Sequence, residues 1–213
     1  MNFLIRVPLN TSPEQHARLC ELRAVFARVC NELAPQVQQS RVWNRVALHH
    51  LHYRSLREKF PELGSQMVCN AIYAVSKMAR LIYQHPSSPS NLARRPGQPL
   101  PLLRFADSCP VYFDRHTLSI KPGQLSLYTM DGRMRFELSL EPGQLALFER
   151  AKLREVVLSE RLDHTFELTF QLEAPEATVE PAQQSVADAN EAPDLPEGEL
   201  APIPEYVSVE VAP

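Results

Sequence analysis

The spacing of apolar residues changes along this chain, and the change limits the fold more than any other feature. Between residues 13 and 83, apolar side chains recur every three or four positions, as on one face of a helix. Residues 3–9 and the stretch after residue 100 instead alternate between apolar and polar side chains. The two periods predict a mixed α+β protein. No apolar run reaches the roughly 18 residues of a membrane-spanning helix, so we expect no membrane partner.

The helical period predicts three helices. The first begins at Thr11-Ser12-Pro13-Glu14, where a hydroxyl cap, a proline and an early carboxylate favour a helix start, and it should end near Pro35. The second covers about 40–60 and the third about 65–83, with Pro61 and Gly64 between them. A loop then continues to about residue 101.

The alternating period predicts short antiparallel strands. Strand candidates lie at 3–9, 111–114, 117–120, 153–158 and 165–172, with a hairpin at Asp131-Gly132 and one helical turn at 145–152. The strand at 3–9 would be isolated unless it joins the later ones, so the helices become an insertion after the first strand. We therefore predict a small antiparallel β-barrel formed by 1–10 and 100–172, with a three-helix bundle and connector loop at 11–99.

The net charge of -3 averages two unlike parts of the chain. Residues 172–213 hold ten acidic side chains, no basic one and seven prolines, whereas residues 1–171 hold 22 basic and 15 acidic side chains. We expect 173–213 to be a disordered acidic tail, in which 206–211 could still form a strand. The tail would serve either as a solubilising linker or as an inhibitor that folds back and competes with nucleic acid.

A basic body favours a nucleic-acid partner. Polar stripes run along the second and third helices, and they predict either a solvated face or a track for phosphates. Trp43 could pack or stack on bases, whereas Tyr53 shares the apolar face and predicts packing. The candidate nucleic-acid contacts are Arg41, Arg45, His52, Arg54, Arg57, Lys59, Tyr73, Lys77, Arg80, Arg94, Arg95 and Arg104.

No cofactor or metal site is predicted. The four cysteines form no CxxC pair, and the three histidines at 49, 50 and 52 lack the spacing of a metal site on one helical face. The N-terminal apolar run is too short for the core of a signal peptide, so we expect a cytoplasmic protein with reduced thiols.

The order of several segments resembles the N-terminal half of TnpB, the transposon-encoded RNA-guided nuclease related to type V CRISPR effectors. The resemblance covers about residues 1–172, and the ordered set carries it rather than any single motif. The segments are the strand at 3–9, the helix start at 11–15, and the runs 56–61, 66–72, 111–120 and 125–133.

The resemblance implies a wedge-like oligonucleotide-binding barrel with a helical recognition insert, which together hold guide RNA and its duplex with target DNA. In that family the nuclease lies downstream, in a RuvC-like domain with acidic catalytic residues and a zinc ribbon. The strand at 206–211 lacks the expected catalytic aspartate. We therefore expect a non-catalytic module, truncated before the nuclease, that binds guide or structured RNA. The alternatives are a protein-interaction adaptor, or one subunit of a split nuclease whose RuvC domain lies on another chain.

Overall fold

The computed structural model describes residues 2–138, 140–173 and 203–210. Strand β1 (Asn2–Pro8) leads into helix α1 (Pro13–Ser40). The predicted start of α1 is confirmed: Ser12 Oγ accepts a hydrogen bond from the Gln15 backbone N–H at 3.2 Å, and Gln15 Oε1 accepts one from the Ser12 N–H at 3.0 Å. This reciprocal pair satisfies two of the N–H groups that a helix leaves without partners at its start.

The predicted end of α1 near Pro35 is wrong, since the helix continues through the proline to Ser40. A proline inside a helix removes one backbone hydrogen bond. Ala34 and Val37 are both fully buried there, and that burial holds the last turns against the core. The helix ends where Arg41 adopts a left-handed conformation, φ 56°, and donates its N–H to the Val37 carbonyl at 3.0 Å.

Helices α2 (Arg45–Lys59) and α3 (Ser65–Tyr83) occupy their predicted stretches, although α2 begins five residues later than the predicted residue 40. The later start follows from Asn44, whose side-chain oxygen accepts from the N–H groups of Val46 and Ala47 and so caps the helix. The two helices differ in burial. Helix α3 buries residues along most of its length, whereas α2 buries only Leu48 and Leu56.

The second half of the chain supplies the remaining elements. These are β2 (Leu102–Phe105), β3 (Val111–Phe113), β4 (Leu118–Lys121), β5 (Gln124–Thr129), β6 (Gly132–Glu137), α4 (Pro142–Arg150), β7 (Lys152–Glu160), β8 (Phe166–Glu173) and β9 (Val207–Glu210). All pairings are antiparallel. They form a four-stranded sheet of order β1-β8-β7-β3, a three-stranded sheet of order β4-β5-β6 and the pair β2-β9.

The prediction of one closed barrel is wrong for the described strands, which form separate sheets. Strand β3 pairs with β7, whereas β4 pairs with β5. The chain changes sheets at a turn where Asp114 Oδ1 accepts hydrogen bonds from the backbone N–H groups of His116 and Thr117. The alternating pattern is the same for a barrel and for open sheets that pack on helices. Here α1 contacts α3 on one side and β2, β3 and β5 on others.

The predicted pairing of the first strand with later ones is confirmed, because β1 pairs with β8 along its whole length. The expectation of a disordered tail is wrong for residues 203–210: within the possible strand at 206–211, β9 pairs with β2, and Val207 is buried. The rest of the predicted disordered tail, residues 174–202 and 211–213, lies outside the described residues. Within the described ranges no helix is both long and apolar enough to cross a membrane.

Candidate nucleic-acid interface

Four of the predicted contact residues form two pairs: Arg41 and Arg45 flank the link between α1 and α2, and Arg94 and Arg95 lie in the 91–98 loop. Gln98 joins the two pairs: its carbonyl accepts from Arg41 Nη2 at 3.2 Å, and its side-chain Oε1 accepts from Arg95 Nε at 2.6 Å. Arg94 is the neighbour of Arg95, and Arg45 opens α2 four residues after Arg41. We call Arg41, Arg45, Arg94 and Arg95 the basic corner.

Local sequence holds these arginines in place. The left-handed turn at Arg41 and the cap at Asn44 fix the start of α2, and therefore the position of Arg45. Leu92–Arg94 form a single 3-10 turn that Asn91 caps by accepting from the Ala93 N–H at 2.8 Å. Asn91 also donates to the carbonyls of Gln84 and His85 at 2.9 Å, which ties the loop to the end of α3.

The basic corner keeps its charge. Among the described residues none of its four guanidinium groups pairs with a carboxylate. Arg41 and Arg95 bind the neutral Gln98, and the Arg45 guanidinium carbon lies 5.1 Å from the centre of the Tyr73 ring. Arg41, Arg45 and Arg94 are exposed. Four guanidinium groups free of described carboxylates favour an anionic ligand.

The structure gives Tyr73 and Lys77 an internal partner. Lys77 Nζ lies 2.8 Å and 2.9 Å from the two carboxylate oxygens of Glu155 on β7, and the Tyr73 hydroxyl donates to Glu155 at 2.6 Å. Burial, and then the Glu155 charge, raise the pKa of the Tyr73 hydroxyl well above its usual value. These side chains therefore hold α3 against the four-stranded sheet.

Most of the remaining predicted contacts also have internal partners. Arg54 pairs with Glu58 at 3.1 Å, Lys59 with Glu32 at 2.5 Å and Arg104 with Glu210 at 3.2 Å. Arg57 donates to the carbonyls of Phe60 and Leu63 and so fastens the turn between α2 and α3. Exposed pairs such as Arg54–Glu58 are weak, so these side chains are held less firmly by their carboxylates than Lys77 is.

His52 and Arg80 are half-buried. The Nε2 atom of His52 is buried without a hydrogen-bond partner among the described residues, and burial lowers the pKa of its imidazole. Arg80 lies one turn beyond Lys77 on α3, and its charge acts on the Tyr73 hydroxyl.

Trp43 and Tyr53 are half-buried, and both pack against the core. The Trp43 ring lies 5.5 Å from the ring of the buried Tyr83, and the Trp43 carbonyl accepts from Ser76 Oγ at 2.6 Å. Tyr53 stacks on His49 with ring centres 4.6 Å apart. These contacts support packing for Trp43 and Tyr53 rather than base stacking.

A basic groove that sequence reasoning missed lies between the start of α1 and β6. Arg18, Arg133 and Arg135 line an open space of about 540 Å³. Arg133 donates to Ser126 Oγ and to the His116 carbonyl, each at 3.0 Å, and Arg18 lies 3.5 Å from Asp131. The signal in the sequence was the alternation of Arg133 and Arg135 with apolar residues, which places both on the solvent face of β6.

A second polar cluster joins α1 to the β7–β8 hairpin. Glu160 lies 2.5 Å from Arg23, 3.0 Å from His164 Nδ1 and 3.8 Å from His16 Nε2, and Cys20 Sγ lies 3.6 Å from His16 Nδ1. Burial raises the pKa of the Cys20 thiol, so this sulfur is a weaker nucleophile at neutral pH than a free thiol. Within the described part of the chain no three His, Cys, Asp or Glu side chains could hold a metal ion.

No protein-family model matches the chain. No curated protein matches its sequence.

Proposed function

We propose that this protein binds RNA, either a guide or a structured RNA, without cutting it. The observation that carries the proposal is the basic corner, where four arginines have no carboxylate partner among the described residues. Guanidinium groups bind phosphate oxygens through paired N–H donors. Residues 1–171 also carry more basic than acidic side chains, which attracts a polyanion from a distance.

The resemblance to TnpB N-terminal halves gives this proposal its substrate class. It favours RNA as the first ligand and target DNA as a further partner. It also favours a module whose nuclease would belong to another part of the system, such as a second chain in a split effector. The resemblance implies a barrel for the wedge-like role, and the described strands form open sheets in its place.

The test is a binding titration of the full chain with its neighbouring noncoding transcript at several salt concentrations. The variant Arg41→Gln/Arg45→Gln/Arg94→Gln/Arg95→Gln should bind more weakly, and its salt slope should fall by about 3, because each lost phosphate contact contributes roughly 0.7–0.9. The matched control is Arg6→Gln/Arg28→Gln/Arg154→Gln/Arg161→Gln, which removes four exposed cations elsewhere.

The control variant should keep most of the wild-type salt slope. Equal losses in both variants, or no salt-dependent binding of the wild type at micromolar protein, would contradict the proposal.

The proposal that the protein does not cut RNA has its own test. The purified chain is incubated with RNA and with DNA in the presence of Mg²⁺ or Mn²⁺. Cleavage that copurifies with the chain would overturn it.

One observation favours a second function, that of a protein-interaction adaptor. Val46 and Leu51 on α2 are 62% and 60% exposed, and these two side chains would supply the apolar contacts of such an adaptor. A pull-down that recovers one stoichiometric protein, unchanged by nuclease treatment and lost in Val46→Ser/Leu51→Ser, would favour this function over RNA binding.

A further inference from the structure

A second candidate site is an apolar groove, formed by other residues than the basic corner. It lies between the β4–β5 turn, helix α4 and the start of β7. Its volume is about 710 Å³, within the range of small-molecule sites. Among its described lining residues, every buried or half-buried side chain is aliphatic or aromatic. They include Leu118, Ile120, Leu138, Leu140, Phe148 and Leu153.

Helix α4 forms one wall of the groove and has no buried residue. Its Phe148 ring meets the Phe170 ring edge to face at 5.0 Å, which fixes the helix to β8. On the side towards the groove Leu145 is left 39% exposed. The helix therefore presents an apolar side that the described residues do not cover.

Cations stand at the rim of this groove. Arg115 and Lys121 line it, both are exposed, and neither has an ion-pair or hydrogen-bond partner for its side chain among the described residues. Arg150 and Lys152, likewise without a described partner, flank the lining residues Glu149 and Leu153. Within the lining itself two cations stand against one carboxylate, that of Glu149, whereas the exposed Glu137 and Glu141 flank the lining residues Leu138 and Leu140.

We infer that this groove binds an amphipathic anion, an aliphatic chain ending in a carboxylate or a similar acidic head. The aliphatic lining takes up the chain, and Arg115 and Lys121 meet the head at the solvent boundary. A nucleobase fits less well, because its polar edge would find no hydrogen-bond partner among the buried lining residues. The inference is independent of RNA binding, which uses the basic corner.

The probe is dodecanoate, kept below its micelle-forming concentration and titrated into the full chain by calorimetry and by NMR of the leucine methyl groups. We expect one saturable site, with shifts centred on Leu118, Leu138, Leu145 and Leu153. Dodecyltrimethylammonium has the same apolar chain with a cationic head and should bind at least about tenfold more weakly. Across shorter carboxylates, each added methylene should tighten binding roughly three- to fourfold.

The charge variant is Arg115→Glu/Lys121→Glu, which alters exposed side chains only. It should weaken dodecanoate binding about tenfold, whereas the matched control Arg6→Glu/Arg135→Glu should bind as the wild type does. Circular dichroism confirms that both variants fold.

Three results would overturn the inference: equal binding of both probes, several equivalents bound per chain, or methyl shifts away from the groove. Failure of dodecanoate to bind, with an acidic leucine-containing peptide shifting the same methyl groups instead, would assign the groove to a protein segment and would also overturn it.

Discussion

Glu155 holds two side chains of α3 at the surface of the four-stranded sheet. The variant Glu155→Gln removes the charge that faces the half-buried Lys77 ammonium, so we expect the free energy of unfolding to fall by about 1–3 kcal/mol. Urea titration measures the change. The control Glu58→Gln removes an exposed carboxylate from its pair with Arg54 and should change stability by less than about 0.5 kcal/mol.

The same variant tests the sequence prediction that Tyr73 and Lys77 contact nucleic acid. If the two side chains serve packing, Glu155→Gln lowers stability and leaves RNA affinity unchanged under conditions where the protein is folded. A gain in RNA affinity with unchanged stability would mean that Lys77 is released to bind phosphate, and it would contradict the structural role.

Glu160 makes stability depend on pH. Burial alone would raise the pKa of its carboxyl, but hydrogen bonds from His164 and Arg23 and the charge of Arg23 outweigh burial and lower that pKa. A lowered pKa contributes stability above the unfolded-state value of about 4.3, and this contribution is lost as the pH falls through the lower, folded-state pKa.

The wild type should therefore be more stable than Glu160→Gln at neutral pH, and the difference should shrink as the pH falls below about 4. Urea titrations of both proteins between pH 7 and pH 3 measure it. A difference that is constant across this range would show that packing, rather than the carboxylate charge, sets the effect of the substitution.

The predicted contact residues differ in how far the sequence alone identifies them as members of a site. Arg41, Arg45, Arg94 and Arg95 are named by their charge alone, and the structure leaves them without carboxylate partners among the described residues. Charge and spacing could not distinguish these four arginines from Lys77 or Arg104. Lys77 pairs with Glu155, 78 residues away, and Arg104 pairs with Glu210, 106 residues away. Only the fold brings such pairs together.

At the scale of elements, the start of α3 lies directly against β5. A Cβ atom added at Gly64 would stand 2.6 Å from Tyr128 Cε1, although the Gly64 φ of -56° suits any residue. Gly64→Ala should therefore destabilise the protein by about 0.5–1 kcal/mol, because the partly exposed Tyr128 ring must shift to make room. In a Tyr128→Ala background the same substitution should cost little, and thermal unfolding of the four proteins gives the coupling energy. A zero coupling energy would contradict this contact.

The predicted bounds of an element agree with the structure where the periodic segment is long and clear. They disagree where tertiary burial sets the end of the element. The 3.6-residue period over 65–83 located α3 at its observed bounds. The proline rule ended α1 too early because it ignores the burial of Ala34 and Val37. Strand β2 was not predicted, since its four residues follow a proline-rich loop and gain a partner only from β9, more than a hundred residues later.

For the whole molecule, the order of elements was predictable and the closure of the sheets was not. An isolated first strand was expected to join the strands after residue 100, without a named partner, and β1 pairs with β8. The same alternation suggested a barrel, because a period of two reports only that one face of a strand is buried. It does not report whether that buried face packs against another strand or against α1.

Removal of β9 should weaken the whole molecule. Val207 is buried, and the Tyr206 hydroxyl lies 3.8 Å from Met78 Sδ on α3, so deletion of residues 203–213 removes a buried apolar side chain and uncovers Met78 and the edge of β2. We expect a loss of about 3 kcal/mol or more, measured by urea titration. Glu210→Gln, which removes only an exposed pair with Arg104, should lie within about 0.5 kcal/mol of the wild type.

The β2–β9 pairing also makes the molecule divisible. Residues 1–173 contain every other described strand and all four helices, and β9 adds to them through backbone hydrogen bonds along one open edge. A synthetic peptide of residues 203–210 could therefore recombine with the larger fragment, as an added strand does at other sheet edges. The larger fragment would then bind the β9 peptide as a ligand. The dissociation constant of that complex would measure how strongly the last strand is held.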